Sequence, residues 1–190
     1  MVDKEEIMTT SASPKLPAGT RVAFLLTHGY EDSELTSPWE AVAAAGGEPV
    51  LVSPETGELE GKKGHKASVD LPVTEASAAD FAGLVLPGGV MNGDKLRMDR
   101  HAVDFVRDFF TQRKPVAVIC HGGWILTEAQ VLSGRMMTSY PSLRTDLRNA
   151  GATWVDEEVV VDQQLVSSRT PADLPAFNAA FLEQLAEATA

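Results

Sequence analysis

Short, wholly apolar runs alternate along the chain with longer segments whose apolar residues recur every three or four positions. Val22-Ala23-Phe24-Leu25-Leu26, within Arg21 to Thr27, has the length and unbroken apolarity of a strand buried on both faces. A helix follows from about Asp32, with Leu35, Trp39, Val42 and Ala43 on one face and Gly46-Gly47 as its stop. Pro49 to Val52 reads as a second strand. Gly57 to Lys66, rich in glycine and lysine and without a period, reads as a loop or exposed hairpin. Leu84-Val85-Leu86 is a third strand running into Pro87-Gly88-Gly89, and Asp99 to Gln112 is a helix burying Val103, Val106 and Phe110. Pro115 to Ile119 is a fourth strand; it feeds Cys120-His121-Gly122-Gly123 and a helix through Leu132. Three elements then remain. They are a short helix carrying Leu143 and Leu147, a hairpin around Asp162-Gln163-Gln164, and a final helix capped by Thr170 with Pro171 in its first turn.

Repeated strand-helix alternation predicts an α/β fold, a mostly parallel sheet covered by helices on both faces. Ligands of such sheets bind outside the carboxyl ends of the strands. Three of the strands here end in unusual chemistry: His28-Gly29-Tyr30-Glu31, Pro87-Gly88-Gly89 and Cys120-His121-Gly122. One crevice would gather all three.

The 190 residues suit one domain, and no internal repeat or linker divides them. Residues 20–190 are expected to form it, after a mobile tail over 1–19 that holds Asp3, Glu5, Glu6 and Ser13-Pro14. That stretch has neither the net basic start nor the long apolar centre of a secretory signal. No apolar run reaches the ~20 residues of a membrane span. Sixteen basic against 27 acidic residues give a net charge of −11, a field that repels phosphate backbones and anionic lipid. Nucleic acid and membrane are therefore not expected partners. The single cysteine excludes an internal disulfide and any Cys-rich metal module, and it fits the reducing cytoplasm. No glycine spacing matches a dinucleotide or phosphate-binding loop, and no ligand spacing among the four histidines suggests a metal. No cofactor is expected.

Cys120 is the most informative residue. It follows a buried strand and precedes two glycines and a helix, an elbow that projects a side chain into the crevice. A helix start there would favour the thiolate, so the thiol pKa is expected below the reference of ~8.5. His121 could take or return a proton. His28, at the end of the first strand, could line the same pocket. Glu31, Asp32 and Glu34 suit a helix N-terminus whatever the function, yet one of them turned toward Cys120 would be raised in pKa and donate a hydrogen bond to sulfur. The residues alone leave that choice open. Gly88 and Gly89 could offer backbone N–H groups to a substrate oxygen.

These residues carry a resemblance to the ThiJ/PfpI superfamily, in the branch of PfpI-type intracellular proteases, general stress proteins and deglycases. It runs from about Val22 to Leu182. Its carriers are Glu31 to Leu35 with Pro38, Leu86-Pro87-Gly88-Gly89, Ala117 to Gly122, Thr138-Ser139-Tyr140-Pro141 and Ser167 to Leu174. The resemblance implies a flavodoxin-like three-layer sandwich of the class I glutamine amidotransferase type, with Cys120 as nucleophile. It places the family's buried glutamate on Glu34, with Glu31 as the neighbouring alternative. An acidic residue that reaches the partner subunit's site in this branch falls on Asp94, after a loop one residue longer than usual. Gly123 stands where the branch has proline, and Asp162-Gln163-Gln164 replaces a glycine-bearing turn. The implied activity is deglycase or glyoxalase-type chemistry on reactive aldehydes and glycated adducts, in a homodimer or higher oligomer. Peptide hydrolysis is the alternative within enzymes; a non-enzymatic redox sensor or chaperone with an oxidisable cysteine is the alternative outside them.

Overall fold

The computed structural model describes residues 14–190. In chain order the elements are β1 (Arg21–Leu25), α1 (Asp32–Ala44), β2 (Glu48–Ser53), β3 (Glu58–Glu60), β4 (Lys66–Ser68), β5 (Leu71–Pro72), β6 (Gly83–Leu86), α2 (Val90–Leu96), α3 (Arg100–Thr111) and β7 (Val116–Ile119). They continue through α4 (Trp124–Ala129), β8 (Met136–Met137), α5 (Arg144–Asn149), β9 (Thr153–Trp154), β10 (Val159–Asp162), β11 (Leu165–Ser168) and α6 (Leu174–Thr189). The main sheet has the order β10-β11-β7-β6-β1-β2-β5. Every pairing in it is parallel except β10 with β11 at one edge. The fold is the expected α/β flavodoxin-like sandwich.

Strand alternation sorts the core into two layers. Val22, Phe24 and Leu26 face α1 and α6, packing with Leu35, Val42, Phe177, Phe181 and Leu185. Ala23 and Leu25 face the other way, toward the layer built from Val103, Val106, Phe109, Ile125 and Leu126 of α3 and α4. Because both faces are covered, β1, β6 and β7 are buried almost throughout, which is why they read as unbroken apolar runs. Their carboxyl ends lie side by side in the middle of the sheet. Among the described residues no helix is long and apolar enough to cross a membrane.

Some local expectations hold and others change. The segment Gly57 to Lys66 is a hairpin, β3 with β4, antiparallel and outside the main sheet. Asp99 caps α3 by accepting from the Ala102 amide at 2.8 Å. Thr170, by contrast, makes no side-chain cap: Pro171–Asp173 form a 3-10 turn first, and α6 begins at Leu174. The helix after the elbow ends at Ala129, where Gln130 turns left-handed with φ 57°, short of the expected Leu132. Of the tail expected to be mobile over 1–19, residues 1–13 lie outside the described residues. Beyond them Leu16 is buried in the α1–α6 layer and its amide donates to the Ala45 carbonyl at 2.8 Å.

Candidate active site

The elbow is built as the sequence requires. β7 ends at Ile119, and Cys120 turns the chain with φ 60°, a left-handed conformation that side chains rarely adopt. A 3-10 turn over Cys120–Gly123 leads into α4. The next turn of chain over is Pro87-Gly88-Gly89 at the end of β6. It approaches so closely that a Cβ on Gly88 would lie 2.3 Å from Glu34 Oε2 and 2.6 Å from Cys120 Cβ. Gly89 has φ 96° and sits against the Gly29 carbonyl oxygen, which a Cβ would meet at 2.3 Å. Both positions therefore demand glycine.

Of the three acidic residues, Glu34 is the one whose carboxyl lies beside Cys120. Its side chain is fully buried against Cys120, Oε2 accepts from the Gly88 amide at 2.8 Å, and Oε1 has no hydrogen-bond partner among the described residues. Burial, then the charge of Glu31, pushes its pKa up to about 8, against the pull of the Gly88 amide. Glu31 points elsewhere and pairs with Lys63 at 2.7 Å and Lys62 at 3.3 Å. Burial works against ionisation there, but the two lysines prevail and hold Glu31 below the usual carboxylate range. Asp32 also faces the hairpin and accepts from the Lys63 and His65 amides at 2.9 and 2.8 Å.

Cys120 Sγ lies 3.3 Å from His121 Nδ1, and both residues are buried. Burial, followed by the charge of Glu34, pushes the thiol up to about 12; the His121 and Gly89 amides pull the other way. The expected low pKa is therefore not what this surrounding provides. The reason is that Glu34 and Cys120 cannot both be anions in one dry crevice. With Glu34 protonated at neutral pH, its repulsion of the sulfur disappears and it becomes a donor to it. Burial, then Lys62, lowers the His121 pKa, so the imidazole is neutral and able to accept a proton.

Gly88 does not supply an oxyanion donor, because Glu34 already occupies its amide. Gly89 and His121 are the backbone donors turned to the sulfur. His28 is held through Nδ1 by the Glu60 amide at 3.1 Å and lines a separate pocket of about 440 Å³ with Lys62, Val90 and Met91. Asp94 is exposed on α2 and is not brought to His121 within the chain.

Four residues at the site were given no role from the sequence, although Tyr140 stands in one of the motifs that carry the resemblance. Buried Asn92 accepts from the Thr27 amide at 2.8 Å and donates to the Pro87 and Gly88 carbonyls at 2.9 and 3.0 Å, locking β1 to the glycine turn. Tyr140 stacks on His121 with ring centroids 4.7 Å apart, and Trp124 meets the ring edge-on at 5.7 Å. Ser142 Oγ lies 3.2 Å from His121 Nε2.

The DJ-1/PfpI family matches residues 20–184, which include every residue described at the crevice. General stress protein 18 of Bacillus subtilis is 46% identical over 163 residues, 84% of this chain and 94% of that protein. Protein/nucleic acid deglycase 2 of Escherichia coli is 45% identical over 161 residues, 83% of this chain and 93% of that one. Among solved structures, Drosophila melanogaster DJ-1beta superposes with a TM-score of 0.82 at 26% identity, covering 90% of this chain and 93% of its own.

Proposed function

Since this chain belongs to the DJ-1/PfpI family, we propose that it is a stress-response enzyme acting through Cys120 on small reactive aldehydes or on their adducts with amines and thiols. The observation that carries this reading is the contact of Cys120 with both a neutral imidazole and a protonated carboxyl. The thiol proton passes to His121 Nδ1 and its electron pair stays on sulfur. The sulfur pair then forms a bond to the aldehyde carbon while the C=O π pair moves onto oxygen. The Gly89 amide stands beside the sulfur to receive that oxyanion, and the imidazolium returns its proton to give a hemithioacetal. Glu34 keeps its proton throughout and holds the sulfur by a hydrogen bond.

The name of the Escherichia coli relative extends to nucleic acids. The net charge of −11 favours free aldehydes and protein adducts over polynucleotides here. The lone thiol needs a reducing compartment such as the cytoplasm. Self-association belongs to the same reading: Asp94 shares an exposed face of α2 with Val90 and Met91 and would act in a second copy's site. Consumption of methylglyoxal by the wild type and by Cys120→Ser tests the chemistry. The expected result is turnover by the wild type and none above background in the variant. Casein cleavage without methylglyoxal turnover would replace this reading with a peptidase.

A further inference from the structure

Two successive peptide groups, Pro87-Gly88 and Gly88-Gly89, each carry one donor of the crevice. The Gly88 amide donates to Glu34 Oε2 at 2.8 Å, and the Gly89 amide turns to the Cys120 sulfur. In a trans peptide the C=O and the N–H point in opposite directions, so whatever holds the carbonyl also aims the amide. On the far side of the turn Asn92 Nδ2 donates to both of these carbonyls, Pro87 O at 2.9 Å and Gly88 O at 3.0 Å. Its partners fix which way the side-chain amide faces. The Thr27 amide can only donate and meets Oδ1 at 2.8 Å; the two carbonyls can only accept and meet Nδ2. One fully buried NH₂ group therefore stands behind the donor to the carboxyl and the donor to the sulfur.

The turn needs such a hold. Rotating the Gly88-Gly89 peptide changes only ψ of Gly88 and φ of Gly89, and two glycines offer little steric resistance to it. A flip would present the Gly88 carbonyl to the sulfur, a dipole of the wrong sign for a thiolate or an oxyanion. The Glu31 amide, at 3.1 Å, is the other donor to the Gly88 carbonyl, and the Gly93 amide holds the next one, Gly89 O, at 2.9 Å. We propose that Asn92 is a positioning residue: by holding the Pro87 and Gly88 carbonyls it keeps the Gly88 amide on Glu34 and the Gly89 amide on the sulfur, where the oxyanion of the aldehyde adduct forms. The proposal rests on the reading of Cys120 as the nucleophile. The three hydrogen bonds of Asn92 all go to backbone groups and none to the sulfur, so its effect passes through the turn alone.

The Gly88 amide reports on the turn directly. Pro87-Gly88 is the only Pro-Gly pair in the sequence, so labelling with ¹³C′-proline and ¹⁵N-glycine isolates its resonance. Glu34→Leu takes the acceptor from that amide and marks the unbonded position of the peak. Asn92→Ala removes both donors to the carbonyls. Asn92→Asp keeps the shape and the bond from the Thr27 amide but has at most one O–H to give, and it serves where the alanine variant does not fold. In both, the Gly88 peak should move toward its position in Glu34→Leu. Iodoacetamide alkylation of Cys120 at one neutral pH should fall about two- to tenfold, the loss of one hydrogen bond to the sulfur. With methylglyoxal, kcat should fall by a similar factor while KM stays unchanged, because the oxyanion forms only beyond the ground state. A Gly88 peak or an alkylation rate equal to the wild type's in either folded variant overturns the proposal. Absence of methylglyoxal turnover from the wild type would remove the aldehyde chemistry, while the resonance and the alkylation would still decide the role of Asn92.

Discussion

Behind Gly88, a carboxyl and a thiol share a space that tolerates one negative charge. Glu34 titrates near pH 8 and Cys120 near pH 12 because burial resists each ionisation and the first anion formed opposes the second. Replacing Glu34 separates its two effects. Glu34→Gln removes the charge but keeps a donor of similar shape, whereas Glu34→Leu removes both. A hydrogen bond to a charged sulfur contributes about 1.5–3 kcal/mol, so the thiol in Glu34→Leu should titrate roughly one to two units above that in Glu34→Gln. Thiolate absorbance across pH measures the difference; equal midpoints would mean that the carboxyl does not bond the sulfur. Cys120 and Glu34 were legible in the sequence because their surroundings repeat a motif. The thiol pKa was not, since the helix start is visible in the sequence and the depth of burial is not. Asn92 and Ser142 were illegible for another reason. Each is a common polar residue in an irregular stretch, and its meaning lies in a partner remote along the chain: Thr27 for Asn92 and His121 for Ser142.

The hairpin of β3 and β4 is the element that closes the crevice from the α1 side, and polar contacts hold it. Asp32 takes two of its amides, Tyr30 Oη lies 2.7 Å from His65 Nδ1, and His28 takes the Glu60 amide. Burial resists ionisation of Asp32, but the Lys63 and His65 amides outweigh it and lower its pKa. A carboxylate lowered by folding stabilises the native state above its unfolded pKa and loses that contribution as pH falls through the folded one. Asp32→Asn should therefore be less stable than the wild type by on the order of 1 kcal/mol at pH 7. The gap should narrow below about pH 4, the ordinary range of an aspartate. Urea unfolding from pH 7 to pH 3 gives both numbers, and a gap constant with pH would show that the carboxylate charge plays no part. Elements with a dense apolar pattern, such as β1, β7 and α3, were readable within a residue or two. α2 was not: Val90-Met91-Asn92-Gly93-Asp94 has a glycine in its middle and no apolar stripe. Its helix is held by tertiary contacts, chiefly Asn92. The two-residue strands β5, β8 and β9 are too short to leave any period.

At the scale of the whole molecule, a charge of −11 sets each copy against the next, so any self-association must come from apolar contact. The described surface has such a face. Val90 and Met91 on α2 and Met98 just past its end are 56%, 54% and 75% exposed, and Asp94 lies one helical turn after Val90 and Met91. A face of this kind buries methionine and valine while leaving an acidic side chain at its centre free to reach the second copy. Salt then acts with a definite sign. At physiological ionic strength the screening length is about 8 Å, which shortens the repulsion between two acidic surfaces and leaves the apolar contact intact. Sedimentation at micromolar concentration should show at least a dimer, tighter in about 0.3 M than in about 0.02 M sodium chloride. Met98→Asp adds a charge where no packing inside the chain is lost, and it should dissociate the assembly. Asp94→Ala should leave the assembly in place and reduce methylglyoxal turnover. A monomer at every salt concentration would remove both the surface and the role of Asp94. A dimer in which Asp94→Ala turns over substrate like the wild type would keep the surface and remove the role of Asp94.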